Sequence, residues 1–157
     1  LATHPSLLIA DEPTTPLDVT IQEQVIALRN DLQQELGMSI IFITHDMGVI
    51  AHVADEVAVM YLGQIVERGP TDKVIYDPRH PYTRGLLNAL PDPSKPRARL
   101  VPVPGEIPAP LEKPRGCPFH PRCGSFMPGT CDRVAPREVI LQDGVGVRCF
   151  LFQEPDA

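Results

Sequence analysis

Leu7-Leu8-Ile9-Ala10-Asp11-Glu12-Pro13-Thr14-Thr15 sets four apolar residues directly before two carboxylates, and the fold turns on how that junction is read. A short apolar run bounded in this way predicts a strand buried on both faces, as in parallel sheets. Two acids at its end are costly unless they work at the C-terminal edge of the sheet, where open α/β sheets bind their ligands. There, Asp11 can hold Mg²⁺ through the ion's hydration shell, and Glu12 can orient or deprotonate an attacking water. The alternative is a solvated loop, because an apolar run before Asp-Glu is a common pattern.

Working outward, apolar residues recur at Ile21, Val25, Leu28, Leu32 and Leu36, one face of a helix with Asp18 as N-cap and Gly37 as its stop. Ser39 to Thr44 predicts a second buried strand, ending in Thr44-His45-Asp46 on the same rim as Asp11 and Glu12. A histidine there can donate to a terminal phosphate, or can simply be satisfied at a helix start. A helix follows to about Ala54. Glu56 to Tyr61 and Gln64 to Arg68 then read as a hairpin turning at Leu62-Gly63. The alternation of strand and helix predicts an α/β layer with a parallel sheet.

Beyond residue 78 the composition changes. Thr71 is placed to cap a short helix reaching Tyr76, and Pro81 to start another through Leu90. Pro91 to Pro136 holds 12 prolines in 46 residues, which predicts a stiff, extended connector. Val139 to Gln142 and Val145 to Cys149 flank Asp143-Gly144 as a small hairpin. Cys117, Cys123, Cys131 and Cys149 lie in a segment poor in large apolar residues, so a metal centre is expected in place of a core. Thiolate ligands alone fit an iron–sulfur cluster or zinc. The spacings lack the paired C-x₂-C of zinc ribbons, and His120 is an alternative ligand.

Charge divides the chain: residues 1–78 carry net −9 and residues 79–157 net +3, within a total of −6. Two units are expected, 1–78 and 79–157. The absence of a dense basic stripe argues against a nucleic-acid partner. No run approaches the ~18 apolar residues of a membrane span. The chain opens on neither Met nor a secretory leader, so it is expected to be part of a longer protein.

These residues resemble ABC-transporter ATPases. Leu7 to Glu12 looks like their Walker B strand, with Asp11 as the Mg²⁺-associated acid and Glu12 as the catalytic glutamate. Thr15 to Asp18 matches the D-loop and His45 the switch histidine of the H-loop. Pro16 departs from the small residue usual in the D-loop; it removes a backbone donor and fixes φ, which bears on the dimer contacts made there. His80-Pro81-Tyr82-Thr83-Arg84-Gly85-Leu86-Leu87 and Gly116-Cys117-Pro118-Phe119-His120-Pro121-Arg122-Cys123 resemble the C-terminal extension of oligopeptide and dipeptide transporter ATPases.

The resemblance implies the C-terminal part of a P-loop-type α/β ATPase domain with a small, irregular, cysteine-rich extension. It implies ATP and Mg²⁺ as ligands, with Glu12 and His45 catalytic, Asp11 and Asp18 at the nucleotide, and a [4Fe–4S] cluster at the four cysteines with Zn²⁺ as the alternative. Implied partners are a second ATPase subunit, identical or related, membrane-spanning permease subunits and, indirectly, an extracytoplasmic peptide-binding protein. The implied location is the cytoplasmic face of the bacterial inner membrane, where reducing conditions disfavour disulfides. No G-x-x-x-x-G-K-[ST] phosphate loop occurs in the chain, so this stretch alone is expected to be inactive. A rival expectation is a metal-binding regulatory or assembly module without catalysis.

Overall fold

A computed structural model of the chain describes residues 5–13, 33, 35–90, 102–109 and 112–153. Asp18, the D-loop with Pro16, most of the helix expected from Asp18, and residues 91–101 of the connector lie outside the described residues. The chain divides into two compact units, 1–54 and 55–157. This packing boundary falls short of the compositional one at 78/79, because strands from both sides of residue 78 share one sheet.

In the first unit, β1 (Leu7–Asp11) and β2 (Ser39–Ile43) pair in parallel, with Leu7 opposite Ser39 and Asp11 opposite Ile43. Both strands are where the sequence places them, but they are not buried on both faces. Leu7, Ile9, Ile41 and Ile43 stay exposed, since among the described residues the sheet has only these two strands. Gln33, Glu35 and Leu36 are helical, and Gly37 ends that turn at φ 62°, a conformation that favours glycine. Helix α1 (Met47–Val53) follows β2; the Asp46 carboxylate caps it by accepting from Gly48 N at 2.9 Å and Val49 N at 3.2 Å. Val49, Ile50 and Val53 are its buried stripe.

The second unit is built on a four-stranded antiparallel sheet. Its strands are β3 (Glu56–Tyr61), β4 (Gln64–Pro70), β5 (Val139–Ile140) and β6 (Gly146–Val147), in the order β3-β4-β6-β5. β3 alternates strictly, burying Val57, Val59 and Tyr61. The β3–β4 turn has Leu62 and Gly63 at φ 45° and 74°, the pair of positive angles a two-residue hairpin loop requires. The hairpin expected around Asp143-Gly144 forms with shorter strands than its sequence suggested, and it extends the earlier sheet: Glu67 is opposite Val147 and Arg68 opposite Gly146. Two ion pairs reinforce this joint, Arg68–Glu138 at 2.7 Å and Arg79–Asp143 at 2.8 Å.

Two short helices follow β4. In α2 (Thr71–Tyr76) the N-cap position is Pro70, so Thr71 is the first helical residue rather than the expected cap. Helix α3 (Pro81–Asn88) begins with proline as read, but it ends two residues before Leu90, and its fully buried residue is Thr83. Leu90, beyond its end, is exposed, while Tyr82 at its start packs its ring against Tyr61 and Phe119.

Candidate functional site

The rim of the first unit is assembled by the β1–β2 register. One step past the last paired residues, Glu12 N donates to Ile43 O at 2.8 Å, so the backbone of Glu12 is still held by β2. Its φ is then 45°, a left-handed angle that costs a branched or acidic residue energy and is typical of functional turns. On the other strand, Thr44 Oγ1 accepts from Asp46 N at 3.1 Å, and Asp46 is committed to capping α1. His45 lies between them, its imidazole 74% exposed. Glu12 Oε1 and His45 Nδ1 meet at 3.1 Å across 33 residues of sequence. Asp11 ends β1 and is exposed.

The structure therefore brings Asp11, Glu12 and His45 to one strand edge. Asp18 is outside the described residues. A single exposed carboxylate at such an edge suits an ion that keeps several of its waters, as Mg²⁺ does. The Glu12–His45 pair joins an acceptor of protons to a group that can donate to an anion, both open to solvent.

The cysteines form a second cluster. Cys117, Cys131 and Cys149 are buried and Cys123 is half-buried; none forms a disulfide. Cys117 N donates to Cys131 O at 2.8 Å, which ties two of the four together through their backbones. Gly116, at φ 71°, is required at this crossing, because a Cβ there would collide with the Cys131 carbonyl. Burial pushes the Cys149 thiol up to about 11, and the nearby Cys117, Cys123 and Cys131 add to the shift. Cys117 and Cys123 are raised as well, first by burial and then by neighbouring thiols. Among the described residues, however, no three His, Cys, Asp or Glu side chains are arranged to hold a metal ion, so the expected metal centre finds no support in this geometry. His120 Nδ1 faces Cys117 O at 2.9 Å and its ring lies against Phe126.

Sequence reasoning missed the polar knot beside these thiols. Glu67 in β4 is completely buried, and its carboxylate accepts from Arg79 N at 2.6 Å and His80 N at 2.9 Å. His80 is 1% exposed and caps α3, Nδ1 accepting from Tyr82 N at 3.0 Å. The only signal for this in the sequence is the His-Pro pair itself, which places a side-chain acceptor before a proline-started helix. With Nδ1 committed as an acceptor, the ring is held neutral with its proton on Nε2, and burial pushes its pKa from the ordinary 6.5 down to about 4.

Stability should depend on pH accordingly. The unfolded chain binds a proton at His80 that the folded chain refuses, so the second unit should lose up to roughly 3 kcal/mol as pH falls from about 6.5 to about 4. Glu138 and Asp143 are held below the ordinary carboxylate values by their hydrogen bonds to Arg68 and Arg79, so their losses come at still lower pH. Urea midpoints at pH 7, 5.5 and 4.5 will check this: they should fall in that window, and the fall should shrink in His80→Asn.

With the geometry described, the relatives can be compared. Residues 66–131 match the family described as "Oligopeptide/dipeptide transporter, C-terminal region". "Probable peptide ABC transporter ATP-binding protein y4tS" of Sinorhizobium fredii is 49% identical over 152 residues, covering 96% of this chain and 43% of the relative. "Dipeptide transport ATP-binding protein DppD" of Bacillus subtilis is 48% identical over 151 residues, covering 96% of this chain and 45% of the relative. The chain thus spans less than half the length of these curated relatives.

Proposed function

The chain belongs among the peptide and dipeptide ABC transporter ATP-binding proteins, and from that premise we propose that it forms the water-activating edge of an ATPase that drives peptide import across the bacterial inner membrane. The contact between Glu12 and His45 carries this reading. Glu12 takes the proton of the attacking water. His45, oriented by Glu12, donates toward the terminal phosphate, where negative charge grows as the bond breaks. Asp11 is the residue that would hold Mg²⁺, whose chemistry is to neutralise charge on the phosphates. Asp18 is assigned to the junction between two ATPase subunits, identical or related.

The remaining assignments follow from the same kinship. Residues 1–78 belong to the P-loop-type ATPase domain and residues 79–157 to the peptide-transporter extension. Permease subunits receive the work, an extracytoplasmic peptide-binding protein delivers the cargo, and the ATPase lies on the cytoplasmic face. None of the helices in the described residues is long and apolar enough to cross a membrane.

The four cysteines are assigned to a [4Fe–4S] cluster, with Zn²⁺ as the alternative. The support is their soft donor chemistry and the backbone tie of Cys117 to Cys131, and their protons must leave when metal binds. Anaerobic purification with iron and zinc analysis decides this. About four irons per chain with a visible absorption band are expected for the cluster. A colourless protein with one zinc selects the alternative, and a metal-free protein overturns both. The chain alone is expected to show neither tight ATP binding nor turnover, since it contains no phosphate loop. Turnover by the chain alone that Glu12→Gln abolishes would overturn that part.

A further inference from the structure

The cysteines come from two separate stretches of chain, and one side chain touches both. Phe119 lies between Cys117 and Cys123 and is 2% exposed. Its ring packs against Tyr61 and Tyr82 at 5.3 Å between centroids and against His80 at 5.8 Å. Nε2 of His80 is buried and faces the Arg148 backbone, short of a full hydrogen bond. Arg148 immediately precedes Cys149, and its N–H donates to Val66 O of β4 at 2.9 Å. His80 itself is anchored from below by the Glu67 carboxylate in the same strand.

We infer that His80 is the positioning residue of the thiol cluster: its ring holds the Cys117–Cys123 loop, through Phe119, in register with the backbone that presents Cys149. The inference rests on reading the four cysteines as one working site, but it does not need a metal to be present. The cluster is then no independent knob on a flexible connector. It is referenced to β4 through Glu67 and His80, and any change in the position of β4 reaches the thiols.

Asparagine is the informative substitution. It keeps a cap acceptor for Tyr82 N and removes the ring that bridges Phe119 and Arg148. The metal-free, reduced 157-residue chain is treated with an aromatic disulfide reagent, and labelling rates are assigned to each cysteine by peptide mass. In His80→Asn, Cys117 and Cys149 should label at least about tenfold faster than in the unsubstituted chain, as a local opening. Thr83→Val, at the fully buried residue of α3 itself, should leave the rates unchanged. Unchanged protection of Cys117 and Cys149 in His80→Asn overturns the inference. So does a rise shared by all four cysteines and matched by faster amide exchange in β3 and β4, which would mean only general unfolding.

Cobalt(II) added anaerobically supplies an independent reading. If the metal assignment holds, the thiolate–cobalt absorption of His80→Asn should shift or weaken relative to the unsubstituted chain; an unaltered band overturns the positioning role. A chain that takes up no cobalt defeats the metal assignment and leaves the labelling result to decide the positioning role.

Discussion

In the full-length ATPase proposed above, Glu12→Gln is expected to lower ATP hydrolysis by about 10²- to 10⁴-fold, the range over which a positioned general base contributes, while nucleotide binding persists. Glutamine matches glutamate in size and can keep a hydrogen bond to His45, so the left-handed turn and the Glu12 N–Ile43 O bond should survive. What disappears is the capacity to accept the proton of the water. His45→Ala should cost less, about 10²- to 10³-fold, as loss of one donor to developing charge. Phosphate release and fluorescent-nucleotide binding separate the two quantities. Hydrolysis within threefold of the unsubstituted rate in Glu12→Gln would remove glutamate from the chemistry and leave it a turn residue.

How far the sequence could be read depends on how local the determining interaction is. Apolar runs ended by polar residues gave β1, β2 and their shared rim, because a parallel pair needs only two such runs and a crossover. The helix after Asp46 and the one started by Pro81 are both legible, although the sequence does not show that the His80 cap is buried. The burial of β1 and β2 was misjudged, since which strands flank a pair is not written in the pair. Glu67 was missed for the same reason: in Gln64-Ile65-Val66-Glu67-Arg68 an acid reads as solvent-facing. Its partners are backbone N–H groups of Arg79 and His80, which have no residue-type signature. The joining of β4 to β6 spans some 80 residues, and only the Arg68–Glu138 and Arg79–Asp143 charges hint at it. In the cysteine segment, residue type suggested a ligand set, but arrangement is a property of packing.

Glu67→Ala should be the most destabilising single substitution in the second unit. Two backbone donors, Arg79 N and His80 N, would lose the carboxylate that accepts from them in a site that water does not reach. A buried donor left unmade costs about 1–3 kcal/mol, so the pair amounts to about 2–6 kcal/mol. Against the 5–15 kcal/mol that typically holds a domain together, that is enough to populate the unfolded state at ordinary temperatures. Glu67→Gln should also be costly despite its shape, since one end of the amide is a donor facing another donor. Asp143→Asn, by contrast, weakens a pair whose side chains are both about a quarter exposed, and should barely shift the transition. All three tyrosines, Tyr61, Tyr76 and Tyr82, lie in this unit and the chain has no tryptophan, so near-ultraviolet circular dichroism follows it without interference from tryptophan. A melting temperature at least ~10 °C lower in Glu67→Ala is expected. A shift no larger than that of Asp143→Asn would mean that the carboxylate does not hold the start of α3, and His80 would then lose the anchor from which it reaches the thiols.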